Sequence, residues 1–323
     1  MTVKVGVFCK GFLSENKPNL DSCTERIQWA LKKAGYEINY FVQDDFLLDK
    51  LKKSNIDIFF NNYSVDIGKD NQAAITTILE LSSIPYTGSS PLTHYIGIYK
   101  HIAKKIFSFH GIKTPRFQVF DNINQPLSKS LNFPLIVKPV HEGSSIGISQ
   151  NSIITGRDEL KQNIAYILEN YNQNALVEEF IEGREFTVGV LGNENPLALP
   201  VVEINFGKEK GFYSWNIKSR DSVPTICPAK IDSMLAEQIG QLAISAFKAI
   251  NCRDYARVDI RQNNKGELFV LEINTLPGLD PDYSDFPKAA RAAGITYDKL
   301  IEKIVDLGLK RSFKKRSSNV ANN

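Results

Sequence analysis

The sequence has little that would tie it to a membrane, a disulfide framework or a nucleic acid. Its four cysteines, Cys9, Cys23, Cys227 and Cys252, lie far apart with no C-x-x-C pair. That spacing excludes a dense disulfide scaffold and a zinc ribbon, and it fits reduced thiols in the cytoplasm. No run of about 18 apolar residues occurs, so no segment reads as a membrane span, and the first apolar stretch, Val5 to Cys9, is too short for a signal-peptide core and reads as a strand. Charge of one sign is missing too: 39 basic residues stand against 36 acidic ones, a net +3, which gives no case for a nucleic-acid or membrane partner. Two phosphate-binding signatures are also absent. No G-x-x-x-x-G-K-[ST] occurs, and no G-x-G-x-x-G follows the first strand, which excludes a Walker-type loop and a dinucleotide fingerprint.

What is present is an ordinary enzyme composition, 42% hydrophobic and 23% charged over 323 residues, enough for two or three domains with a sizeable core. Residues 3–90 alternate strand and helix: VKVGVFC, a helix near 22–34 closed by Gly35, EINYFV, a short helix, IDIFF, a helix near 71–82, then PYTG. This predicts a doubly wound α/β unit. A helix from Tyr99 to His110 should stop at Gly111, ahead of Pro115. Strands then dominate (FQVF, LIVKP, IGIS, ALVEEFI, EFTVGVLG), with a helix near 157–170. The last section holds LALPVVEI, a polar and aromatic loop at 206–226, a long helix at 232–250, the pair YARVDIR and ELFVLEIN, and two terminal helices. Changes of element type near 90 and 180 mark soft boundaries. The basic run KRSFKKR at 310–316 reads as part of a solvated tail.

One stretch invites a wrong answer. GSSIG at 143–147 fits the G-x-S-x-G of a serine-hydrolase elbow, but such an elbow needs a helix directly after the serine and a histidine later in the chain. Here β-branched IGISQNSII follows, and all four histidines, His94, His101, His110 and His141, precede Ser145. His141-Glu142 also fails as H-E-x-x-H, because Ser145 stands where the second histidine belongs. A Gly-Ser-Ser-x-Gly loop between strands can instead close backbone N–H groups over a polyanion, with Lys138 adding positive charge nearby; a plain hairpin loop is the other reading.

Residues 256–274, ARVDIRQ-NNKG-ELFVLEIN, read as a hairpin. With a loop at 264–267, Asn263 pairs with Leu268, Asp259 faces Glu272 and Arg257 faces Asn274, all four on one face. Val258, Ile260, Leu271 and Ile273 then point to the core. Two opposed carboxylates repel unless a cation lies between them, and oxygen ligands of this kind suit Mg²⁺. A solvated polar face with Arg257 neutralising the acids is the alternative.

Taken in order, VKPxxEGSSxG, VEEFIxGREFTVGVLG, CPA at 227–229 and ARVDxxxxxxGxxxxLEINTLPG resemble the D-alanine–D-alanine ligases of the ATP-grasp superfamily, over most of residues 84–305. The resemblance implies an α/β ATP-grasp fold: an N-terminal doubly wound domain at 1–90, a central α+β subdomain at 91–178 and a C-terminal α+β subdomain at 179–309 carrying the metal and catalytic residues; composition alone makes 310–323 a disordered basic tail. It implies a cytoplasmic homodimer acting on amino acids in peptidoglycan biosynthesis. ATP would be used with two Mg²⁺ ions, Mn²⁺ being a substitute, to phosphorylate one amino acid's carboxylate before another's amine attacks. By resemblance, Lys100 and Lys138 lie on the ATP phosphates and Ser144 and Ser145 in a lid loop. Glu178, Glu179, Phe180 and Ile181 form the adenine-holding segment, Glu185 binds the ribose, and Lys218 meets the γ-phosphate. Asp259, Glu272 and Asn274 bind the metals, Arg257 and the Gly278 amide stabilise an oxyanion, and Glu15 grips the first amino acid's ammonium group. A charge-offsetting set of metals and lysines is what phosphoryl activation of a carboxylate requires.

Three substrate-facing motifs depart from the family pattern. His-Gly-x-x-Gly-Glu-Asp-Gly becomes NNYSVDIGKDNQ, with no histidine. Ser219 follows Lys218 where dipeptide-forming members place Tyr and depsipeptide-forming ones often Phe or another residue; in a divergent D-alanine–D-alanine ligase Tyr213 or Trp215 would cover for the tyrosine. Met-Thr-x-x-Ser-Leu-x-P becomes LDPDYSDFP, which moves Ser284 by one position. These departures leave three readings: a divergent D-alanine–D-alanine ligase, a ligase joining other amino acids, or a nucleotide-binding protein without ligase activity.

Overall fold

The computed structural model describes residues 2–14, 17–62, 70–141, 152–206 and 224–320. The chain opens with β1 (Lys4–Cys9), a small hairpin of β2 (Phe12–Ser14) and β3 (Lys17–Pro18), α1 (Ser22–Lys33), β4 (Glu37–Val42), α2 (Leu47–Lys53), β5 (Ile58–Phe59) and α3 (Asp70–Ser82). β1 pairs in parallel with β4 on one side and β5 on the other, as apolar strands alternating with helices predict. α1 starts where the Asp21 carboxylate accepts from the Thr24 N–H at 2.8 Å, a side-chain cap on an otherwise orphaned donor.

Next come α4 (Pro91–Ile98), α5 (Lys100–Phe109), β6 (Phe117–Phe120), β7 (Leu135–Pro139), β8 (Ile153–Ile154), α6 (Arg157–Tyr171) and β9 (Ala175–Glu179). The four strands form an antiparallel sheet in the order β6-β9-β7-β8. α5 ends as its sequence foretells, with Gly111 at φ 69° just past it. The expected strand IGIS lies outside the described residues.

The remainder builds the largest sheet from β10 (Gly183–Leu191), β11 (Leu197–Ala198), β12 (Val202–Ile204), β13 (Thr225–Ile226), β14 (Tyr255–Asn263) and β15 (Leu268–Asn274), ordered β13-β12-β10-β14-β15 with β11 also on β10. α7 (Ser233–Ala249) covers one face, and α8 (Asp285–Ala292) and α9 (Tyr297–Val320) close the chain. LALPVVEI is two short strands rather than one, because Pro200 lacks the N–H that a continuous ladder needs. β10 begins at Gly183, φ 143°, where an added Cβ would lie 2.0 Å from the Gln262 carbonyl oxygen. Gly183→Ala is therefore expected to destabilise the fold by about 1–3 kcal/mol or more, read as a lower urea midpoint at unchanged m.

Two expectations need correction. α9 runs on to Val320, so the basic run is helical rather than a loose tail, and Arg311 within it is held by the buried Asp254 at 2.9 Å. In the β14–β15 hairpin Gln262, not Asn263, faces Leu268, and a bulge at Leu271 restores the pairing of Asp259 with Glu272. Leu271 is consequently only half-buried, and Val270 takes the core position expected for it.

Three apolar clusters hold these parts. One joins the first sheet to Leu276, Leu279 and Phe286 and to Leu300, Ile301, Ile304 and Val305 of α9, so the chain's end returns to pack on its beginning. A second lies between the large sheet, α5 and α7. The third lies under α6 on the four-stranded sheet.

Candidate active site

β14 is the centre of the site because it is flanked on both sides. Alternation puts Arg257, Asp259 and Arg261 on one face, β10 sets Gly189, Thr187 and Glu185 opposite them, and β15 sets Asn274 opposite Arg257 and Glu272 opposite Asp259. Asp259 accepts from Arg257 at 3.0 and 2.9 Å and from the Thr187 hydroxyl at 2.5 Å. Burial alone would lower the Arg257 pKa, but Asp259, then Asp285 and Glu272, raise it above the ordinary arginine value, so this side chain is a fixed cation among carboxylates. The Asn274 carboxamide oxygen accepts from the Leu276 N–H at 3.1 Å, anchoring the turn that leads to Gly278.

Facing this sheet is a set of buried lysines. α5 is amphipathic, and Lys100 and Lys104, four residues apart, share its buried side. Lys100 lies 3.6 Å from Glu272. Lys104 ion-pairs with Glu178 Oε2 at 2.9 Å, and Lys138 on β7 donates to Glu178 Oε1 at 2.5 Å. Burial opposes the charged form of Glu178, yet the two lysines outweigh it and hold its pKa below the usual carboxylate range. Burial, with Lys138 adding repulsion, pushes Lys104 down to about 8 against the pull of Glu178. Among the described residues, three lysines thus gather around Glu178 and Glu272, a concentration of positive charge that suits an anion.

Beyond Glu178 the chain crosses from the four-stranded to the six-stranded sheet. Glu179 is gripped by Arg116 at 2.9 and 2.6 Å, its N–H donates to the Arg116 carbonyl, and the Phe180 N–H donates to that of Pro134. Arg261 fixes the far side, donating to the Ile181 carbonyl at 2.7 Å and to Glu185 at 2.8 Å, with its guanidinium 4.8 Å from the Phe180 ring centre. Each residue of the segment at 178–181 thus has a side chain or a carbonyl tied to the neighbouring elements.

At the opposite end of β15, Gly278 lies so close to Ser284 that an added Cβ would fall 2.8 Å from the hydroxyl oxygen. Next to it, Asp285 lies 3.7 Å from Lys288, which also donates to Thr225 at 3.3 Å. Behind the turn, buried His94 on α4 meets the Thr275 hydroxyl at 2.7 Å, and burial pushes its pKa down to about 4, so it is a neutral support.

The structure therefore brings together Lys100, Lys138, Glu178, Asp259, Glu272 and Arg257, with Glu185 and Asn274 on the same sheet face. Glu15, Ser144, Ser145 and Lys218 lie outside the described residues, as do Tyr213, Trp215 and Ser219. Lys104, Thr187 and Arg261 were not foreseen. Lys104 had a signal in its i+4 spacing from Lys100, and Arg261 in its two-residue step from Asp259; Thr187 had none, since only the pairing of β10 with β14 places it.

Comparison with known proteins bears on this geometry. The family model described as D-ala D-ala ligase C-terminus matches residues 103–306. A D-alanine–D-alanine ligase of Carboxydothermus hydrogenoformans is 38% identical over 317 residues, covering 95% of this chain and 98% of the relative. Another, of Pelotomaculum thermopropionicum, is 36% identical over 323 residues, covering 96% and 98%. The crystal structure of the Bacillus anthracis D-alanine–D-alanine ligase complexed with ATP superposes with a TM-score of 0.77 at 28% identity, covering 97% of this chain and all of that one. Matched by such relatives along nearly its whole length, the chain belongs to the D-alanine–D-alanine ligase family and has the ATP-grasp fold.

Proposed function

We propose that this protein joins two D-alanines at the expense of ATP. The observation that carries the reading is the Asp259–Glu272 pair, directly opposed on neighbouring strands, with Lys100 beside Glu272 and with Lys104 and Lys138 gathered on buried Glu178. Folding alone disfavours like charges across a sheet, whereas phosphoryl transfer needs just such a mixture of anionic metal ligands and cations. A carboxylate oxygen of the first D-alanine attacks the γ-phosphorus and ADP leaves; the amine of the second attacks the acyl carbon, phosphate leaves and a proton is released. Lys100 and Lys138 would lie on the phosphates, Glu185 on the ribose, and Arg257 with the Gly278 amide on the oxyanion. Glu15, Ser144 and Lys218 keep the roles that the resemblance gives them.

The donors of Asp259, Glu272 and Asn274 are all oxygens and fit a hard divalent cation. These residues would hold Mg²⁺, two ions by the family pattern with Mn²⁺ as a substitute, and the metal would offset phosphate charge. We further propose a cytoplasmic homodimer with the domain division at 90 and 178. The described cysteines are free and no described helix is long and apolar enough to cross a membrane.

ADP and phosphate are expected to appear from Mg·ATP only when an amino acid is supplied, with D-Ala-D-Ala as the product mass and a hydroxamate in the presence of hydroxylamine. ATP hydrolysis independent of amino acid, with no hydroxamate, would overturn the reading. A second reading, in which the acceptor is another amino acid, is favoured by Asp285, a carboxylate within electrostatic reach of Arg257 directly after the displaced Ser284. Phosphate release across paired D- and L-amino acids separates the two.

A further inference from the structure

We propose that Lys104 is a positioning residue for nucleotide binding, a standing counter-ion that keeps Glu178 neutralised and so frees Lys138 to move from Glu178 to the nucleotide's phosphates. The inference rests on the reading above that Lys138 serves the phosphates. It goes beyond it in giving a role to a lysine that would itself touch neither substrate nor metal.

The two lysines hold Glu178 in different ways. Lys104 is 0% exposed and its ammonium has two partners: it donates to Thr114 Oγ1 at 2.9 Å and ion-pairs with Glu178 Oε2, and Thr114 in turn donates to the Val270 carbonyl at 2.8 Å. Lys104 is thus built into the junction of α5 with β15. Lys138 takes the other oxygen, Oε1, from near the end of β7. Lys138 cannot stay at 2.5 Å from Glu178 and also lie on a phosphate out of that carboxylate's reach. If Lys138 were the sole partner, its departure would leave a buried carboxylate, 2% exposed, without a cation, and that penalty would oppose nucleotide binding. With Lys104 in place, the departure leaves one carboxylate facing one ammonium. It also removes a like charge from beside Lys104, which Lys138 now repels. α5 therefore presents two lysines with divided duties, Lys100 toward Glu272 and Lys104 toward Glu178.

The test is the ratio of affinities for ADP and adenosine, since Lys138 meets phosphate and not the nucleoside. Calorimetry or saturation-transfer NMR on the full chain would measure both ligands for wild type, Lys138→Met, Lys104→Met, Glu178→Gln and Lys104→Met/Glu178→Gln. Lys104→Met is expected to weaken ADP by about tenfold relative to adenosine. Glu178→Gln, alone or added to Lys104→Met, should bring the ratio to wild type or above it, because a neutral partner no longer retains Lys138. A purely structural ion pair would move both ligands together or neither, and that result overturns the inference. If Lys138→Met lowers the ratio and Lys104→Met does not, this inference alone fails; if Lys138→Met leaves the ratio unchanged, the assignment of Lys138 to the phosphates fails and takes the inference with it. Should Lys104→Met not fold, the double variant decides: a ratio below wild type overturns the proposal.

Discussion

Glu272→Gln is expected to cut kcat/KM by a hundredfold or more, at least about 2.7 kcal/mol of transition-state stabilisation, while the protein stays folded. Gln keeps the shape of Glu, so little packing is lost. What disappears is the negative charge opposite Asp259, and with it a ligand for Mg²⁺. Steady-state kinetics over a Mg²⁺ titration, beside a thermal melt, would check this. Activity within a few fold of wild type would place the opposed pair in the category of a solvated sheet face, where Arg257 neutralising Asp259 is explanation enough. Ser145→Ala is the contrasting case. Ser144, not Ser145, is the candidate orienting hydroxyl, so this variant should leave substantial turnover, and a fluorophosphonate label on Ser145 would return the hydrolase reading to consideration.

The largest loss of stability is expected at Asp254, a residue outside the candidate site. Its carboxylate is fully buried and accepts from the Gly88 N–H at 2.7 Å, Arg311 at 2.9 Å and the Asn193 carboxamide at 2.9 Å. Arg311 also donates to the Tyr86 carbonyl at 2.7 Å. One side chain thus ties the loop after the first sheet, the turn after β10 and the last helix to the start of β14. Asp254→Ala removes the partner of a largely buried guanidinium and leaves the Gly88 donor unmet, which should cost about 3–5 kcal/mol. Asp254 also sits at φ 61°, where Asn is tolerated better than Ala, so Asp254→Asn should lose clearly less. Urea unfolding of both variants would show the difference; equal losses would mean that charge alone, not backbone conformation, sets the effect.

The sequence by itself determined the fold class, most element types and the polar face of β14 and β15, because these depend on local signals: apolar periodicity, turn residues and strand alternation. It placed Asp259 opposite Glu272 through a turn one residue out of place, and the bulge at Leu271 cancelled that error. A bulge leaves no mark in a two-residue alternation, so only the folded hairpin could show that Val270, not Leu271, enters the core. The ordered motifs likewise pointed to the family before any contact was known. Tertiary structure alone decided who neutralises whom. Lys104 meets Glu178 across 74 residues of chain, Arg261 meets Glu185 across 76 and Arg311 meets Asp254 across 57. Such pairs carry no sequence periodicity, because they form only once α5, the three sheets and α9 have packed and water has left the lysines and carboxylates between them.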